Sequence, residues 1–349
     1  MRILIDARPL ADATSGGVAR VARGVIEAFI ALNATDEIVL ATTGTTKPDV
    51  TSLESSLVRH IHLSIPNKLW SLATFLGITS LDREMEKRTG KIDAVFLPNI
   101  GFVGAIKKPY VLLLHDLSFL IEPKWFSMKM RLWHNAVGAK TLIRNATKLL
   151  AVSETTKQDA MRLLGIPAER IDVIPIGSTL PTQTAPSTSL GMTREKYLLA
   201  LGWNDPRKNA KTVARAFEIL KRDPIYADLD LVIVGRDVLR PSDNELASLY
   251  KNAAAFLYPS WYEGYGLPLH EAAAYSTPCI ASITGALPET APPGTLFVDP
   301  AKPQHWVEAI RSSLHILPLT KGELEGVPAA HSWDLAANIL KRSLEIVIR

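Results

Sequence analysis

Cysteine occurs once in the 349 residues, as Cys279. A single thiol excludes an internal disulfide framework and a cysteine-rich zinc site, and it fits a reducing compartment. Its place in the short apolar run "TPCIAS" marks it as a buried core thiol rather than a nucleophile. No stretch reaches the roughly 20 apolar residues that a membrane span requires. The opening "MRILIDARPL" has too short an apolar run, and too early a charge, for a signal peptide. These absences predict a cytoplasmic protein, one that can still lie on a membrane surface. No Gly-x-Gly-x-x-Gly follows the first apolar run, so nicotinamide chemistry has no support. No repeat of fixed short period is present. With 47% hydrophobic and 21% charged residues, the composition is that of a globular chain and not a disordered one.

Acidic residues are missing from one stretch in particular. The net charge of +4 is unevenly placed: Lys and Arg outnumber Asp and Glu by 22 to 17 in residues 1–180, whereas residues 181–349 carry 17 against 18. Residues 123–153 hold Lys124, Lys129, Arg131, Lys140, Arg144 and Lys148 with no acid at all, and Trp125, Phe126 and Trp133 are interleaved with them. Bases mixed with Trp and Phe on a helix suit an anionic membrane surface. A solvated helix face with its aromatics turned into the core gives the same pattern. No nucleic-acid-binding motif accompanies the bases.

The length suits about two domains. Apolar runs at 2–7, 37–42, 58–64, 93–98, 110–116, 148–153 and 171–176 read as strands, and so do 196–202, 230–235, 254–260, 277–282 and 295–300. Most are continuous rather than alternating in hydrophobicity, as expected of parallel strands covered on both faces. Helices are predicted at 17–33, 68–88, 128–145, 154–164, 209–222, 244–253, 268–276 and 303–316, with a last one over "SWDLAANILKRSLEIVI". Ser153 ahead of Thr156 is a candidate N-cap. Residues 177–193, rich in Ser, Thr, Pro and Gly, form the best linker candidate. The pattern predicts an α/β protein with two doubly wound, Rossmann-like domains at 1–180 and 181–330. A closing helix at 331–349 is expected to pack back on the first. Ligands of such pairs bind where the carboxyl ends of the strands face the interdomain cleft.

One such strand end leads into "PSWYEGYGLPLHEAAAYSTP", residues 259–278, where Glu263 and Glu271 bracket Gly264, Tyr265, Gly266 and Leu267. Glycines allow close backbone approach, and amides at a helix start attract anions. Carboxylates accept hydrogen bonds from hydroxyls, each worth roughly 1.5–3 kcal/mol. Acids flanking free amides thus describe a site for a polyhydroxylated, phosphorylated ligand such as a nucleotide sugar. On these residues alone a second reading stands: Glu271 complementing its helix dipole, and Glu263 solvated in a loop. Arg207 and Lys208 in "DPRKN" follow another strand and precede a helix, which makes them a candidate diphosphate clamp. Gly16 and Gly17 lie between the first strand and its helix, and His115 and Asp116 end the strand "YVLLLHD".

The segment "YPSWYEGYGLPLHEAAAYSTPCIAS" resembles the Glu-x7-Glu signature of the retaining glycosyltransferases of family 4, which have the GT-B fold. "AVSETTKQDAMRLLGIPAERIDVIPIG", "LGWNDPRKNAKTVARAF", "SLYKNAAAFLYPS" and "HSWDLAANIL" resemble further landmarks of that family. The N-terminal "ILIDARPLADATSGGVARVARGVIEAF" looks most like its bacterial branch that adds mannose or related sugars to surface polysaccharides. The resemblance implies Arg207 and Lys208 on the leaving diphosphate, Glu271 on the ribose diol, and Glu263 near the donor sugar. It places the amides of Gly264 to Leu267 on sugar hydroxyls or phosphate, Gly16 and Gly17 against phosphate and acceptor, and His115 at the donor sugar. The implied donor is GDP-mannose first, with UDP- or dTDP-sugars next, and the implied acceptor a glycan or lipid-linked saccharide. No further cofactor and no metal are expected, since the Asp-x-Asp-like "DLD" at 228–230 precedes its strand. A non-catalytic scaffold subunit and a sugar-nucleotide epimerase are the alternatives.

The pattern breaks at one point. Between "DLVIVG" and "ELASLYKNA" the family runs through a further helix, strand and loop, whereas only "RDVLRPSD" (236–243) intervenes here. One βα unit of the second domain is therefore expected to be missing, from the region that shapes the pocket for the base.

Overall fold

All twelve apolar runs become strands in the computed structural model, which describes residues 1–11, 16–177, 197–315 and 333–348. The chain divides into two compact units, Met1–Gly177 with His331–Arg349, and Ser178–Ala330. The predicted linker at 177–193 falls, after Gly177, outside the described residues.

The first unit holds β1 (Arg2–Asp6), β2 (Glu37–Thr43), β3 (Val58–Leu63), β4 (Ala94–Leu97), β5 (Tyr110–Leu114), β6 (Lys148–Ala151) and β7 (Ile171–Val173). Their order is β3-β2-β1-β4-β5-β6-β7, and every pairing is parallel. All carboxyl ends therefore lie on one edge. Helix Trp333–Ile348 belongs to this unit: it packs against helix Gly17–Leu32 and over β4 to β6, burying Ala336, Ala337, Leu340 and Leu344. The Ser153 hydroxyl caps helix Glu154–Leu164 by accepting from the Thr156 amide at 3.1 Å.

Two predicted helices are each broken in two. The 68–88 segment forms Asn67–Phe75 and Leu81–Thr89, with Gly77 at φ +68° between them. The 128–145 segment forms Met128–Ala136 and Ala139–Asn145 around Gly138, at φ +67°. In both, the glycine takes the left-handed conformation that a side chain resists. The apolar spacing carries on through the turn, so periodicity alone does not reveal the break.

The second unit holds β8 (Tyr197–Leu201), β9 (Asp230–Val234), β10 (Ala255–Tyr258), β11 (Cys279–Ser282) and β12 (Leu296–Val298), in the parallel order β12-β11-β10-β8-β9. Alternate residues enter separate cores: Leu198 and Ala200 on one face, Tyr197 and Leu199 on the other. Burial on both faces explains why the runs are continuously apolar. Cys279 is buried, and desolvation pushes its thiol up to about 12.

The missing βα unit leaves β9 at the edge of this sheet. An open edge is a template for pairing with another chain. Here Arg236 and Asp237, just past Gly235 at the strand's end, cover it. Arg236 Nη2 donates to the Leu231 carbonyl at 3.1 Å, and Asp237 Oδ2 accepts from the Ile233 amide at 2.7 Å. The amides of Arg236 and Asp237 both reach the Ile233 carbonyl, at 3.0 and 2.9 Å. Arg236 and Asp237 are themselves ion-paired at 2.8 Å. Side chains and backbone amides of this turn thus bond the outer polar groups of Leu231 and Ile233. A cavity of about 380 Å³ lies alongside, between Leu231 and Phe217 of helix Ala210–Leu220.

Candidate active site

In an open parallel sheet the strand order reverses at a switch point, and ligands bind in the crevice at the carboxyl ends there. In the second unit that point lies between β8 and β10. The two loops leaving these strands are "GWNDPRKN" and "PSWYEGYG". In the first, the Asp205 carboxylate accepts from the Arg207 amide at 2.9 Å and starts the turn Pro206–Lys208. Asn209 follows in the left-handed region at φ +54°. Its side-chain amide donates to the carbonyls of Pro259 at 3.0 Å and Pro300 at 2.9 Å, tying the loop to those after β10 and β12. The Trp261 amide donates to the Arg207 carbonyl at 2.8 Å and joins the two loops directly.

This scaffold brings Arg207, Lys208 and Glu263 together. Lys208 Nζ donates to Glu263 Oε1 at 2.7 Å and to the Tyr258 hydroxyl at 2.6 Å, and lies 4.8 Å from the Tyr258 ring centroid. Arg207 Nη1 donates to Glu263 Oε2 at 3.4 Å, and its Nη2 lies 3.5 Å from Asp205. Burial is the largest influence on Glu263 and opposes its ionisation. The charges of Lys208 and Arg207, with the Lys208 hydrogen bond, outweigh it and bring the carboxyl down to about 2. Burial, then the Glu263 charge, pushes the Tyr258 phenol well above its usual range. At neutral pH the cluster is therefore a carboxylate, a neutral phenol and two cations. Glu263 is no solvated loop residue. Tyr258 and Asn209 are parts of the site that motif reading did not assign. The only sequence signal for Tyr258 is a hydroxyl on the last residue of a buried strand.

Glu271 has a different setting. It sits just past the first turn of helix Leu267–Ala274, and its Oε2 accepts from the buried Tyr250 hydroxyl at 3.1 Å. Pro268 occupies the first turn, and Gly266 caps it at φ +96°. Tyr265 stacks on His270 with ring centroids 4.9 Å apart, and its carbonyl accepts from Thr290 Oγ1. Gly264 is buried and Leu267 half-buried in the same turn. Behind it, Gly285 packs on the Glu263 backbone at φ +58°. A Cβ there would lie 2.8 Å from both the Glu263 amide nitrogen and its carbonyl oxygen. The Ala286 amide donates to that carbonyl at 2.9 Å. Asp228 and Asp230 fall at the opposite, amino end of β9.

In the first unit, Gly16 and Gly17 start helix Gly17–Leu32 and line a cavity of about 520 Å³ at the strand carboxyl ends. Asn67, Trp70, Asn99 and Trp133 also line it, with Arg8, which is paired to Asp6 at 2.6 Å. His115 Nε2 lies 2.9 Å from the Pro98 carbonyl, an acceptor, so Nε2 carries the proton and Nδ1 the lone pair. Burial lowers the His115 pKa against that bond and the Asp116 charge, leaving the ring neutral. Asp116 Oδ1 accepts from the Ser118 amide at 2.9 Å and hydroxyl at 2.6 Å, which caps a turn.

The basic run does not form one surface. Lys124, Lys129 and Lys140 are exposed and Arg131 is half-buried. Arg144 Nε donates to the Leu164 carbonyl at 3.3 Å, at the amino edge of the sheet, and Lys148 is paired with Asp172 at 3.0 Å. Both therefore leave the proposed membrane face, because Gly138 turns the chain back toward the start of β6. Trp125, Phe126 and Trp133 are half-buried, the last edge-on to Phe102 at 6.1 Å.

Residues 15–178 match the family model "Glycosyltransferase Family 4", and residues 237–320 match "Glycosyl transferases group 1". Among characterised relatives, the chain is 29% identical over 234 residues to O-antigen chain mannosyltransferase B of Escherichia coli, covering 58% of this chain and 59% of that one. It is 26% identical over 237 residues to O-antigen chain mannosyltransferase RfbU of Salmonella typhimurium, covering 63% and 65%. The chain thus spans less than two thirds of the length of either. Of solved structures, sucrose-phosphate synthase from Thermosynechococcus elongatus matches with a TM-score of 0.71 at 21% identity, over 99% of this chain and 98% of the other. An α,α-trehalose-phosphate synthase from Burkholderia vietnamiensis matches with a TM-score of 0.63 at 12% identity, over 99% and 97%. At these identities the structures speak to the fold alone, which is GT-B.

Proposed function

The chain belongs to family 4 of the glycosyltransferases, and on that premise we propose that it transfers a hexose from a nucleotide sugar to a glycan or lipid-linked acceptor, in the assembly of a surface polysaccharide. The sugar is mannose first, on the names of the two O-antigen relatives. GDP-mannose is the first donor, and UDP- or dTDP-hexoses are the next. The observation that carries the reading is the Lys208–Glu263 pair at 2.7 Å with Arg207 beside it, at the switch point of the second sheet.

Transfer breaks the bond between the anomeric carbon and the diphosphate oxygen, and the transition state takes on oxocarbenium character. Negative charge grows on the departing oxygen. Arg207 and Lys208, held by Glu263, Tyr258 and Asp205 before any ligand arrives, are set to stabilise it without reorganisation. The carboxylate of Glu263 accepts hydroxyls of the donor sugar, and that of Glu271 the ribose diol. The acceptor oxygen attacks the face the diphosphate leaves, its proton passes to the diphosphate, and configuration is retained without a metal. Neutral His115 serves the sugar as a hydrogen-bonding group through Nδ1.

Incubation with GDP-mannose, UDP-hexoses and dTDP-hexoses, with and without a membrane extract, tests the proposal. Expected are acceptor-stimulated release of nucleotide that survives EDTA, an α-linked product by NMR, and loss of release in Arg207→Ala. Failure to bind any nucleotide sugar by calorimetry would leave an assembly subunit. An isomerised donor without release would make the protein an epimerase.

A further inference from the structure

The switch point of the first sheet lies between β1 and β4, and one guanidinium ties together the loops that leave these two strands. Asp6 ends β1 and is buried. Its carboxylate takes Arg8 as a fork, from Nε at 2.7 Å and from Nη2 at 2.6 Å. Arg8 Nη1 donates to the Phe102 carbonyl at 2.8 Å, and Trp70 Nε1 donates to the same oxygen at 2.8 Å. Both lone pairs of that carbonyl are therefore occupied, and the loop after β4 is held at this point. The Phe102 ring stands edge-on to Trp133 at 6.1 Å. Gly101 lies close against the pair: a Cβ there would come within 3.3 Å of Arg8 Nη2. Asp6, Arg8, Phe102 and both tryptophans line the cavity of about 520 Å³, which belongs wholly to the first unit.

The chemistry of the lining describes its occupant. Three of the five N–H groups of Arg8 go to Asp6 and Phe102, and two have no partner among the described residues. Asn67 and Asn99 also line the cavity, and each has its side-chain oxygen engaged. Asn67 Oδ1 accepts from Thr43 Oγ1 at 2.8 Å, and Asn99 Oδ1 accepts from the Ile100 amide at 2.8 Å. Their NH2 groups are left to a ligand. These donors suit hydroxyl oxygens, and the aromatic rings suit the apolar face of a sugar ring. Among the described residues that line the cavity, Asp6 and Arg8 are the only ionisable ones, and their charges cancel. An anion drawn to Arg8 would meet the Asp6 carboxylate on the same guanidinium, and would lose its water without gaining a net countercharge. The start of helix Gly17–Leu32 offers only a fraction of a charge.

We propose that this cavity receives the uncharged end of a saccharide, and that the Asp6–Arg8 pair is what keeps charged ends out. Arg8 holds the Phe102 loop in place and donates its two remaining N–H groups to ligand hydroxyls, while Asp6 cancels its charge. The same cavity without the Asp6 carboxylate would be a site for a phosphate or a carboxylate. That the bound sugar is the acceptor of the transfer rests on the transferase reading; the selection for an uncharged sugar does not.

Saturation-transfer NMR titrations with the full chain test the selection. The probes are the methyl glycosides of mannose, glucose, galactose and N-acetylglucosamine, set against mannose 6-phosphate and glucuronate. Wild-type protein is expected to bind one or more of the neutral glycosides about tenfold better than either anion, and Trp133→Ala to lose that binding. Asp6→Asn should turn the preference toward the anions by about tenfold or more. Asp6 is buried, so melting curves will show whether this variant folds, and Asn67→Lys is measured beside it. Asn67 is an exposed lining residue, and a cation there should shift the preference the same way. Wild-type protein that binds the anions equally well or better, or binds no neutral glycoside, overturns the proposal. So does binding that persists in Trp133→Ala, or an unchanged preference in folded Asp6→Asn or in Asn67→Lys. Neutral-sugar binding as expected, with no nucleotide sugar bound by calorimetry, would defeat the transferase reading alone.

Discussion

Lys208 reaches Glu263 from a different loop, 55 positions away in the chain, and the half-buried ammonium meets the buried carboxylate at 2.7 Å. The Tyr258 hydroxyl is the third point of that contact. Its removal is the gentlest probe of the cluster. Tyr258→Phe deletes one acceptor, a loss of about 0.5–1.5 kcal/mol. We expect kcat to fall about tenfold, with KM for the donor nearly unchanged and little change in melting temperature. Lys208→Met should lower kcat by about 100–1000-fold, and it also leaves a buried carboxylate without its closest cation. Equal kinetics in Tyr258→Phe and wild type would show that Lys208 is held without it.

Stability should depend on Glu263 in acid. Its carboxyl titrates at about 2 in the folded chain, below the ordinary value of 4.5. A depressed carboxyl stabilises the fold fully above its unfolded value, and that contribution drains away as pH falls through the folded one. Between pH 4.5 and about 2, up to about 3 kcal/mol should be lost from this group. Glu84 titrates in the same window, held down to about 2 by Lys87, Thr79 and Arg88 against its burial. The difference between wild type and Glu263→Gln in urea titrations over this range isolates the Glu263 share. Parallel curves for the two proteins would refute it.

Gly285 is expected to tolerate no side chain. Alanine there meets the Glu263 backbone on both sides and must also hold a left-handed conformation. The conformation alone costs about 1–2 kcal/mol. Gly285→Ala should therefore lower stability by about 2 kcal/mol or more and reduce transfer beyond what the loss of folded protein explains. A change within about 0.5 kcal/mol would mean that the loop yields.

The cover on β9 makes a prediction about association. Arg236→Ala/Asp237→Ala removes the side chains that meet Leu231 and Ile233 and frees the Leu231 carbonyl and the Ile233 amide on the strand edge. The variant should self-associate with rising concentration by light scattering, where the wild type does not. A strictly monomeric variant would show that the edge is protected by other means.

The sequence by itself determined the strands and their parallel arrangement. Strands buried on both faces must be continuously apolar, and that signal is local. It also made the Glu-x7-Glu and "DPRKN" segments legible, because a glycine turn between acids and cations before a helix is a short-range pattern. The shortened second domain could likewise be read from the spacing after "DLVIVG".

Tertiary structure decided the rest. Helix breaks at Gly77 and Gly138 left the apolar period intact, and only the backbone angles reveal them. Arg144 and Lys148 count with the bases in sequence, yet their partners lie at the opposite edge of the sheet. Arg236 and Asp237 look like loop charges until β9 is seen to end the sheet. The exposed stripe of Leu69, Leu72 and Leu76 is indistinguishable in composition from a core stripe, since nothing local says which side of a helix the sheet will cover. Lys208 comes from one loop, and Tyr258 and Glu263 from another strand end and its loop, 50 and 55 positions further on. Their meeting depends on the switch in strand order between β8 and β10, a relation no short window of sequence contains.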